Sequence, residues 1–392
     1  MIPYGKQDIS QADIDAVVEV LKSDWLTQGP EVPAFEKAVC DYTGAKHAVA
    51  VNSATSALHI ACLALGVGAG DVVWTSPITF VASANCALYC GADVDFVDVD
   101  AATGNMCPKA LELKLVAAKA NGRLPKVVIP VHLCGHSCDM APIAALASEY
   151  GFKLIEDASH AIGGSYQGKR IGSCAFSDIT VFSFHPVKIV TSAEGGMALT
   201  NSSELAEKME LLRSHGITKA ASLMTRPNEG DWYYEQLQLG FNYRMTDLQA
   251  ALGLSQMARL ETFVQTRNEL ACTYRDVLAQ LSASVVEPLS GSHSAWHLMI
   301  VCLDVSAQRR RLFDEMRRMG IQVHVHYFPV YLQPYYQSHY QFQEGYCPRA
   351  EQFYQSILTL PLHCHLTDTS VNFIVSQLKA LMDSTVNSEG GH

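Results

Sequence analysis

The chain has 392 residues, of which 48% are hydrophobic and 17% are charged, and its formal net charge is −11. This composition excludes a disordered or low-complexity protein. The acidic balance argues against a nucleic-acid partner, because no run of Lys and Arg is available to neutralise phosphates. An anionic ligand would have to be held locally, by helix N-termini, backbone amides and hydroxyls. By length we expect one large domain and one smaller domain.

The N-terminus and the cysteines indicate the compartment. Residues 1–21 lack the basic start and the continuous apolar core of a signal peptide, and the sequence has no run of about 18 or more apolar residues. We therefore expect a cytoplasmic protein with no membrane partner. The twelve cysteines are scattered through apolar segments such as LHIACLAL and SANCALYC, which favours reduced thiols in the core.

The first half of the chain alternates helix-like and strand-like segments. Two helices are predicted first, SQADIDAVVEVLKS with a Ser N-cap and VPAFEKAVCDYTG with a Gly stop. Short apolar runs typical of buried strands follow, namely HAVAVNS, DVVWTSP, ADVDFVDVD, KVVIPVH, FKLIEDAS and DITVFSF. Helical segments separate most of them, most clearly ATSALHIACLAL and MAPIAALASEYG. This order predicts an α/β fold with a mostly parallel central sheet, in which ligands gather at the carboxyl ends of the strands.

The pattern changes near residue 250. One long helical stretch is predicted over residues 247–281, and the remainder, with HLMIVCLD and GIQVHVHYFPVYLQPYY, resembles a smaller α+β domain. We expect a large domain of residues 1–257 and a smaller C-terminal domain of residues 258–392.

Two polar residues follow buried strands of the predicted sheet. Asp157 ends FKLIED, and Lys188 comes a few residues after DITVFSF. A lysine withdrawn from water has a lowered pKa, and its neutral amine suits Schiff-base chemistry. Together the pair fits pyridoxal 5′-phosphate (PLP), with Asp157 on the pyridine nitrogen and Lys188 on the aldehyde carbon. Taken singly, such a lysine is usually a surface charge and such an aspartate is often a helix cap.

A candidate phosphate site lies in VNSATSALHIA. The amides of Ala54, Thr55 and Ser56 open a predicted helix after a small-residue turn, with hydroxyls beside them. Alone this signal is weak, because Ser and Thr cap many helices. With Ser183 at the end of a neighbouring strand, it strengthens the PLP interpretation.

Two other segments offer competing interpretations. VHLCGHSCDM contains four plausible zinc ligands, but their spacing matches neither paired CxxC motifs nor a helical HxxxH, so we predict no metal site. The four candidate zinc ligands are His132, Cys134, His136 and Cys138. The two histidines could instead line a pocket or cap local backbone. WHLMI and HVHYFPVYLQPYY are rich in His and Tyr, which suits either an aromatic core or a nucleotide or sugar ligand.

With these pieces placed, the chain resembles the sugar aminotransferases of the DegT/DnrJ/EryC1/StrS family, which have the PLP-dependent transferase type I (aspartate aminotransferase) fold. The resemblance runs from WLTQGPEVPAFEKAV through SATSALH, SPITFVASANCALYCGADVDFVDVD, EDASHAIGG and SFHPVKIVTSAEGG to LGFNYRMTDLQAALGLSQ and LPLHCHLTD. One departure is visible: Ile189 follows the lysine where many relatives have Pro or Asn.

The resemblance implies roles for individual residues. Lys188 would form the internal aldimine and later shuttle a proton, and Asp157 would partner the pyridine nitrogen. The remaining implied cofactor contacts are His160 near the ring hydroxyl, Phe80 on the pyridine face, Thr55, Ser183 and the backbone at Ala54 on the phosphate, and Asn242 on the phosphate of the neighbouring subunit. The last contact implies a homodimer with two shared sites.

Within the family, the motifs NSATSAL, SFHPVK and LGFNYRMTDLQAALGLSQ are most similar to members that act in pseudaminic acid biosynthesis. These transfer the amino group of L-glutamate to C4 of UDP-2-acetamido-2,6-dideoxy-β-L-arabino-hex-4-ulose. The implied substrate contacts are Tyr4, Trp25, Leu26, Thr27, His326 and Tyr327, with Arg244 on a carboxylate or phosphate.

Three alternatives remain at the level of the sequence. The substrate could be another UDP- or dTDP-linked 4-keto sugar, such as UDP-4-keto-arabinose of lipid A modification. Some family members are dehydratases in which a His replaces the lysine, and Lys188 argues against that activity. From a different class, the same scaffold could carry a non-catalytic or metal-binding protein.

Overall fold

The first helices begin and end at the residues that the sequence marks. Helix α1 (Gln11–Lys22) follows Ser10, whose hydroxyl accepts a hydrogen bond from the amide of Asp13 at 3.3 Å, while the Asp13 carboxylate accepts one from the Ser10 amide at 2.8 Å. This reciprocal pair satisfies two amides that the helix itself leaves unpaired. Helix α2 (Glu31–Thr43) ends at Gly44, which has a φ of 83° that favours glycine. Both signals read from the sequence are confirmed.

A computed structural model describes residues 1–226, 229–304 and 308–389, with side chains as far as residue 383. The strands are β1 (His47–Val51), β2 (Val72–Thr75), β3 (Asp93–Phe96), β4 (Val127–Ile129), β5 (Lys153–Asp157), β6 (Ser165–Tyr166), β7 (Lys169–Arg170), β8 (Ile179–Ser183), β9 (Gly196–Thr200), β10 (Ile217–Thr218), β11 (Glu235–Gln236), β12 (Ala283–Val285), β13 (Ser292–His293), β14 (Met299–Leu303) and β15 (Ile357–Leu360). The further α-helices are α3 (Ala54–Ala64), α4 (Ala82–Tyr89), α5 (Pro108–Ala120), α6 (Met140–Tyr150), α7 (Ser203–Arg213), α8 (Asp247–Met257), α9 (Leu260–Leu278), α10 (Arg309–Arg318), α11 (Pro334–Tyr340), α12 (Pro348–Ser356) and α13 (Asp368–Glu389).

The central sheet has seven strands among the described residues, in the order β1-β9-β8-β5-β4-β2-β3. Neighbouring strands from β8 through β5, β4 and β2 to β3 are parallel, whereas β9 is antiparallel to both β8 and β1. The predicted α/β fold with a mostly parallel sheet is therefore confirmed. Because the carboxyl ends of parallel strands share one edge, Asp157 at the end of β5 and Ser183 at the end of β8 lie on the same side of the sheet.

A second, antiparallel sheet of β12, β14 and β15 forms in the C-terminal third. Helices α9, α10 and α13 supply apolar side chains to its core, among them Leu270, Met316 and Val371. Other residues of this third, including Phe353, belong to the same hydrophobic cluster as Val49 of β1. The two parts thus share buried surface, and the boundary between residues 257 and 258 stays a prediction.

The long helix predicted over residues 247–281 is wrong in one respect, since it is two helices, α8 and α9. The turn tightens at the end of α8, where the amide of Arg259 bonds to the carbonyl of Gln256 at 3.0 Å. The Arg259 guanidinium is held by the carboxylates of Asp8 and Asp13, each at 2.6 Å. These long-range ion pairs hold Arg259 at the junction of the two helices. The local sequence has no Gly or Pro there that would predict the end of a helix.

The cysteine prediction holds with one exception. All twelve cysteines are free thiols, and six are buried and five half-buried, but Cys272 on α9 is exposed. In the part of the chain that the structure describes, no helix combines the length and apolar character needed to span a bilayer.

Candidate active site

A cavity of about 930 Å³ opens at the carboxyl edge of the central sheet. Eleven of the residues singled out in the sequence line it: Tyr4, Ala54, Thr55, Ser56, Phe80, Asp157, His160, Ser183, Lys188, His326 and Tyr327. They come from the N-terminal segment, the start of α3, the residue stretch before α4, the end of β5, the end of β8 with the loop that follows it, and the segment between α10 and α11. One site therefore collects residues from both parts of the chain.

Lys188 lies on a loop between β8 and β9. At the base of the loop, the amide of Phe184 donates a hydrogen bond to the carbonyl of Gly195 at 2.9 Å. The adjacent residues, Ser183 of β8 and Gly196 of β9, are paired in the sheet. Burial disfavours the ammonium and lowers the pKa of Lys188 from 10.5 to about 8, although the nearby charge of Asp157 acts in the opposite direction. A neutral, nucleophilic amine is thus accessible near physiological pH.

Asp157 is a buried carboxylate with three hydrogen-bond donors. Its Oδ2 accepts from Ser83 Oγ at 2.6 Å, and its Oδ1 accepts from the Ser159 amide at 3.1 Å and Ser159 Oγ at 2.6 Å. An anion held at this depth suits a cationic partner, such as the protonated nitrogen of a pyridine ring.

The start of α3 forms a cradle for an anion. Ser53 caps the helix by accepting from the Ser56 amide at 3.2 Å, and Thr55 and Ser183 line the cavity beside it. Gly196 of β9 lies so close that a Cβ there would approach Ala54 N and the Ser53 carbonyl carbon to 2.4 Å. The sheet therefore abuts the helix N-terminus, whose amides and dipole favour a phosphate.

The cavity has a polar group suited to each polar part of PLP, namely its aldehyde, its ring nitrogen and its phosphate. Lys188 offers the amine, Asp157 the carboxylate and the start of α3 the phosphate cradle. Phe80 has 60% of its side chain exposed although it lines the cavity, so a planar ring can cover it. The residue roles implied by the resemblance remain predictions, but their positions are mutually compatible.

The wall opposite the sheet is aromatic and polar. His160 Nε2 lies 3.3 Å from the Tyr327 hydroxyl, and the ring centroids of Tyr4 and His326 are 5.3 Å apart. His326 Nδ1 lies 3.0 Å from the hydroxyl of Thr359 in β15, so the second sheet supports this wall. Burial raises the pKa of Tyr327, which keeps its hydroxyl protonated. Burial, with the charges of His324 and Lys188, holds the pKa of His326 well below 6.5.

Five predicted residues do not line this cavity within one chain. Trp25 and Leu26 are 56% and 49% exposed, and Thr27 and Asn242 are exposed as well. Arg244 instead lines a separate cavity of about 170 Å³ beside Arg213 and Glu36. The roles assigned to these five residues stay predictions, and for Asn242 the prediction itself requires a second chain.

The candidate zinc ligands are engaged elsewhere. His132 accepts from the Cys138 amide at 3.0 Å and lies 2.8 Å from a carboxylate oxygen of Glu156, while His136 contacts Ser294 Oγ at 2.6 Å and the Val286 carbonyl at 3.0 Å. Burial lowers the pKa of His136 to about 3. Among the described residues, no three His, Cys, Asp or Glu side chains converge in a way that could hold a metal ion.

Among the residues that sequence reasoning missed, three contact Asp157 or Lys188 directly. Ser159 could have been found, because it follows Asp157 by two positions in EDAS and such spacing is typical of a local hydrogen bond. Ser83 and His297 could not, since they meet Asp157 and Lys188 across 74 and 109 residues. His297 Nε2 lies 3.5 Å from Lys188 Nζ.

Comparison with known proteins agrees with this geometry. Residues 7–379 match the DegT/DnrJ/EryC1/StrS aminotransferase family. The chain is 38% identical to a UDP-4-amino-4,6-dideoxy-N-acetyl-beta-L-altrosamine transaminase of Campylobacter jejuni over 98% of each protein, and 36% identical to the GDP-perosamine synthase of Caulobacter vibrioides over 94% of this chain and 95% of that protein.

The fold is shared with a solved structure of PseC from Helicobacter pylori, an aminotransferase of pseudaminic acid biosynthesis. The TM-score is 0.89 at 33% identity, over 98% of this chain and 99% of that one. The family is PLP-dependent, which confirms the predicted cofactor. The chain belongs to the DegT/DnrJ/EryC1/StrS aminotransferase family and is a PLP-dependent sugar aminotransferase.

Proposed function

We propose that the chain transfers the amino group of L-glutamate to C4 of UDP-2-acetamido-2,6-dideoxy-β-L-arabino-hex-4-ulose. The observation that carries this proposal is the cavity in which Lys188 and Asp157 lie beside the start of α3, in a chain 38% identical over nearly its whole length to a transaminase named for that type of sugar. Other relatives act on other sugars, so a different nucleotide-linked 4-keto sugar is the alternative.

Each residue has a defined task in the proposed reaction. When bound, PLP would supply an electron-withdrawing ring and an aldehyde carbon able to hold the amino group between the two half-reactions. Asp157 holds the ring nitrogen protonated, and the amides at the start of α3 hold the phosphate. The neutral amine of Lys188 removes the proton from Cα of glutamate, and in the second half of the reaction Lys188 delivers a proton to C4 of the sugar.

The sugar nucleotide is proposed to enter along the aromatic wall. Tyr4, His326 and Tyr327 line the cavity on the side away from β5 and β8, and their rings present both apolar faces and polar tips. Such groups suit a sugar ring with its hydroxyls and acetamido group. Because burial keeps Tyr327 protonated, its hydroxyl can donate a hydrogen bond to a sugar oxygen.

We further propose a homodimer with shared sites. Asn242 is exposed in one chain, and large apolar side chains stand out nearby in the sequence, with Trp232 and Leu239 each 79% exposed. Exposed apolar side chains of this size favour burial against a partner. A second copy would cover them and bring Asn242 to the neighbouring phosphate. The cytoplasmic location stays a prediction.

A panel of UDP-, dTDP- and GDP-linked 4-keto sugars, each incubated with enzyme and L-glutamate, tests the substrate. With the UDP 2-acetamido sugar, mass spectrometry should show amination, which raises the nominal mass by about 1 relative to the ketone because C=O becomes CH–NH₂. A product formed only from dTDP or GDP sugars would overturn the substrate proposal. Omission of L-glutamate, or its replacement by other amino acids, tests the donor.

A further inference from the structure

His297 is a buried histidine beside Lys188. Only 5% of its surface is exposed, and it lies just before β14. Its amide donates to the Cys134 carbonyl at 2.7 Å, and its carbonyl accepts from Arg267 Nη1 at 3.3 Å. The backbone is thus anchored on two sides, and the ring is presented with Nε2 at 3.5 Å from Lys188 Nζ.

The titratable and charged groups that act on this pair come from four parts of the fold. They are Asp157 at the end of β5, His160 three residues later, His326 between α10 and α11, and Arg267 on α9. Burial, together with the positive charges of Lys188 and Arg267, holds the pKa of His297 well below 6.5. The imidazole is therefore neutral when Lys188 carries a proton.

A neutral imidazole has one donor nitrogen and one acceptor nitrogen. An ammonium offers only donors, so Nε2 must be the acceptor and Nδ1 must carry the hydrogen. Nδ1 is buried and has no hydrogen-bond partner among the described residues. Its proton lies in a region that also contains the His160 ring, whose centroid is 4.5 Å from that of His297.

We propose that His297 is a positioning residue for Lys188. Whenever Lys188 is not linked to the cofactor, the neutral imidazole accepts a hydrogen bond from Nζ, fixes its direction and stabilises the form that carries the proton. Burial lowers the pKa of Lys188 and favours the neutral amine. A hydrogen bond from the ammonium to His297 acts in the opposite direction. This inference deepens the proposed function and rests on Lys188 being the cofactor lysine, but it is independent of which sugar is aminated.

The test uses the pyridoxamine phosphate form of the enzyme, in which Lys188 is free. Competitive labelling with acetic anhydride from about pH 6 to 10, read by mass spectrometry of the Lys188 peptide, gives the pKa of Nζ. We expect His297→Leu to lower this pKa by about one unit, since a hydrogen bond to a charged group is lost. His297→Gln, which keeps an acceptor at the Nε2 position, should restore it.

His297→Asn tests whether any polar side chain at this position is enough, or whether the acceptor must lie where Nε2 lies in His297. The asparagine amide extends only to the position of Nδ1, so this variant should behave like His297→Leu. An unchanged Lys188 pKa in His297→Leu, or equal values for His297→Asn and His297→Gln, would overturn the proposal. His297→Leu and His297→Asn should lower kcat while leaving KM for the sugar nearly unchanged, because the lysine and not the sugar is misplaced, whereas His297→Gln should keep a kcat near that of wild type.

The two proposals fail in different ways. Amination of a different sugar would overturn the substrate assignment and leave the pKa shift intact. Retention of the cofactor's lysine-bound absorbance after removal of Lys188 would overturn both. Circular dichroism of each His297 variant checks that the fold is unchanged.

Discussion

The guanidinium of Arg267 on α9 donates to the backbone carbonyl of His297 at 3.3 Å. The same nitrogen reaches the carbonyls of Trp296 and Leu362, each at 3.1 Å. Arg267 is only 2% exposed, and its pKa is lowered by burial. One cation therefore holds three backbone carbonyls on two separate segments of the chain, residues 296–297 and residue 362, beside the wall of the site.

Replacement of Arg267 by Met should destabilise the fold by about 3 kcal/mol, because buried carbonyls lose a charged donor. Urea unfolding followed by tryptophan fluorescence measures this loss. Arg310→Met is the matched control: its side chain is 88% exposed and pairs with Asp314 on the surface of α10. It should cost less than about 1 kcal/mol. Equal losses in the two variants would contradict a structural role for Arg267.

Replacement of Lys188 by Arg should abolish catalysis. Arginine stays protonated in proteins and cannot act as the nucleophile or the base. We expect a fall in kcat of about 1,000-fold or more, with loss of the visible absorbance of lysine-bound PLP. Normal activity in this variant would remove Lys188 from the mechanism.

Removal of the Ser83 hydroxyl should weaken the hold on the cofactor. Ser83 Oγ donates to Asp157 at 2.6 Å, and its loss leaves a buried carboxylate with fewer donors. Ser83→Ala should raise the Kd for PLP about 5- to 10-fold, as expected for the loss of about one hydrogen bond. Thr79→Val is the control, because Thr79 contacts Ser83 Oγ at 2.8 Å and not the carboxylate. PLP titration of the apoenzyme should show a smaller effect for Thr79→Val.

The lowered pKa of Lys188 gives stability a defined pH dependence. Between about pH 8 and the ordinary value of 10.5, the unfolded chain keeps a proton on this lysine that the folded chain has lost. Unfolding then takes up protons, so the contribution of this group to the free energy of unfolding rises with pH across that window and is constant below it. The Lys188→Met variant has no ionisable group at this position, so its stability lacks this contribution. In cofactor-free protein, the stability of wild type relative to Lys188→Met should therefore increase from pH 8 to 10.5, and a flat or falling difference would contradict the lowered pKa.

Mixed dimers test the shared site. Lys188→Met and Asn242→Asp should each be nearly inactive alone, the second because a carboxylate repels the neighbouring phosphate. After subunits are exchanged at equal amounts, half of the dimers are mixed, and each holds one site with both native residues. Activity should return to about a quarter of that of wild type. If no activity returns although mixed dimers form, Asn242 does not act across the interface.

How far the sequence predicts this site depends on the separation of the interacting residues. Ser10, Gly44 and the apolar strands act through neighbours in the chain, so their roles follow from local patterns. The break between α8 and α9 depends on ion pairs of Arg259 with Asp8 and Asp13, some 250 residues away, and no local pattern contains it.

The same distinction applies to the residues around the cofactor. Asp157 and Lys188 can be predicted because Asp157 ends a buried strand and Lys188 follows one, and in a parallel sheet such positions converge. Ser83 and His297 meet them only through tertiary packing. Trp25 and Asn242 could be assigned roles only by resemblance, and within one chain they lie outside the main cavity.

The closed base of the Lys188 loop has a consequence for folding. Pairing of Ser183 with Gly196 closes a loop of a dozen residues, whereas the contact with His297 spans 109. Since the entropy of loop closure grows with length, the local loop can form early with β8 and β9. Closing the contact between Lys188 and His297 costs more chain entropy, so we expect the loop that carries the reactive amine to form before the histidine packs against it.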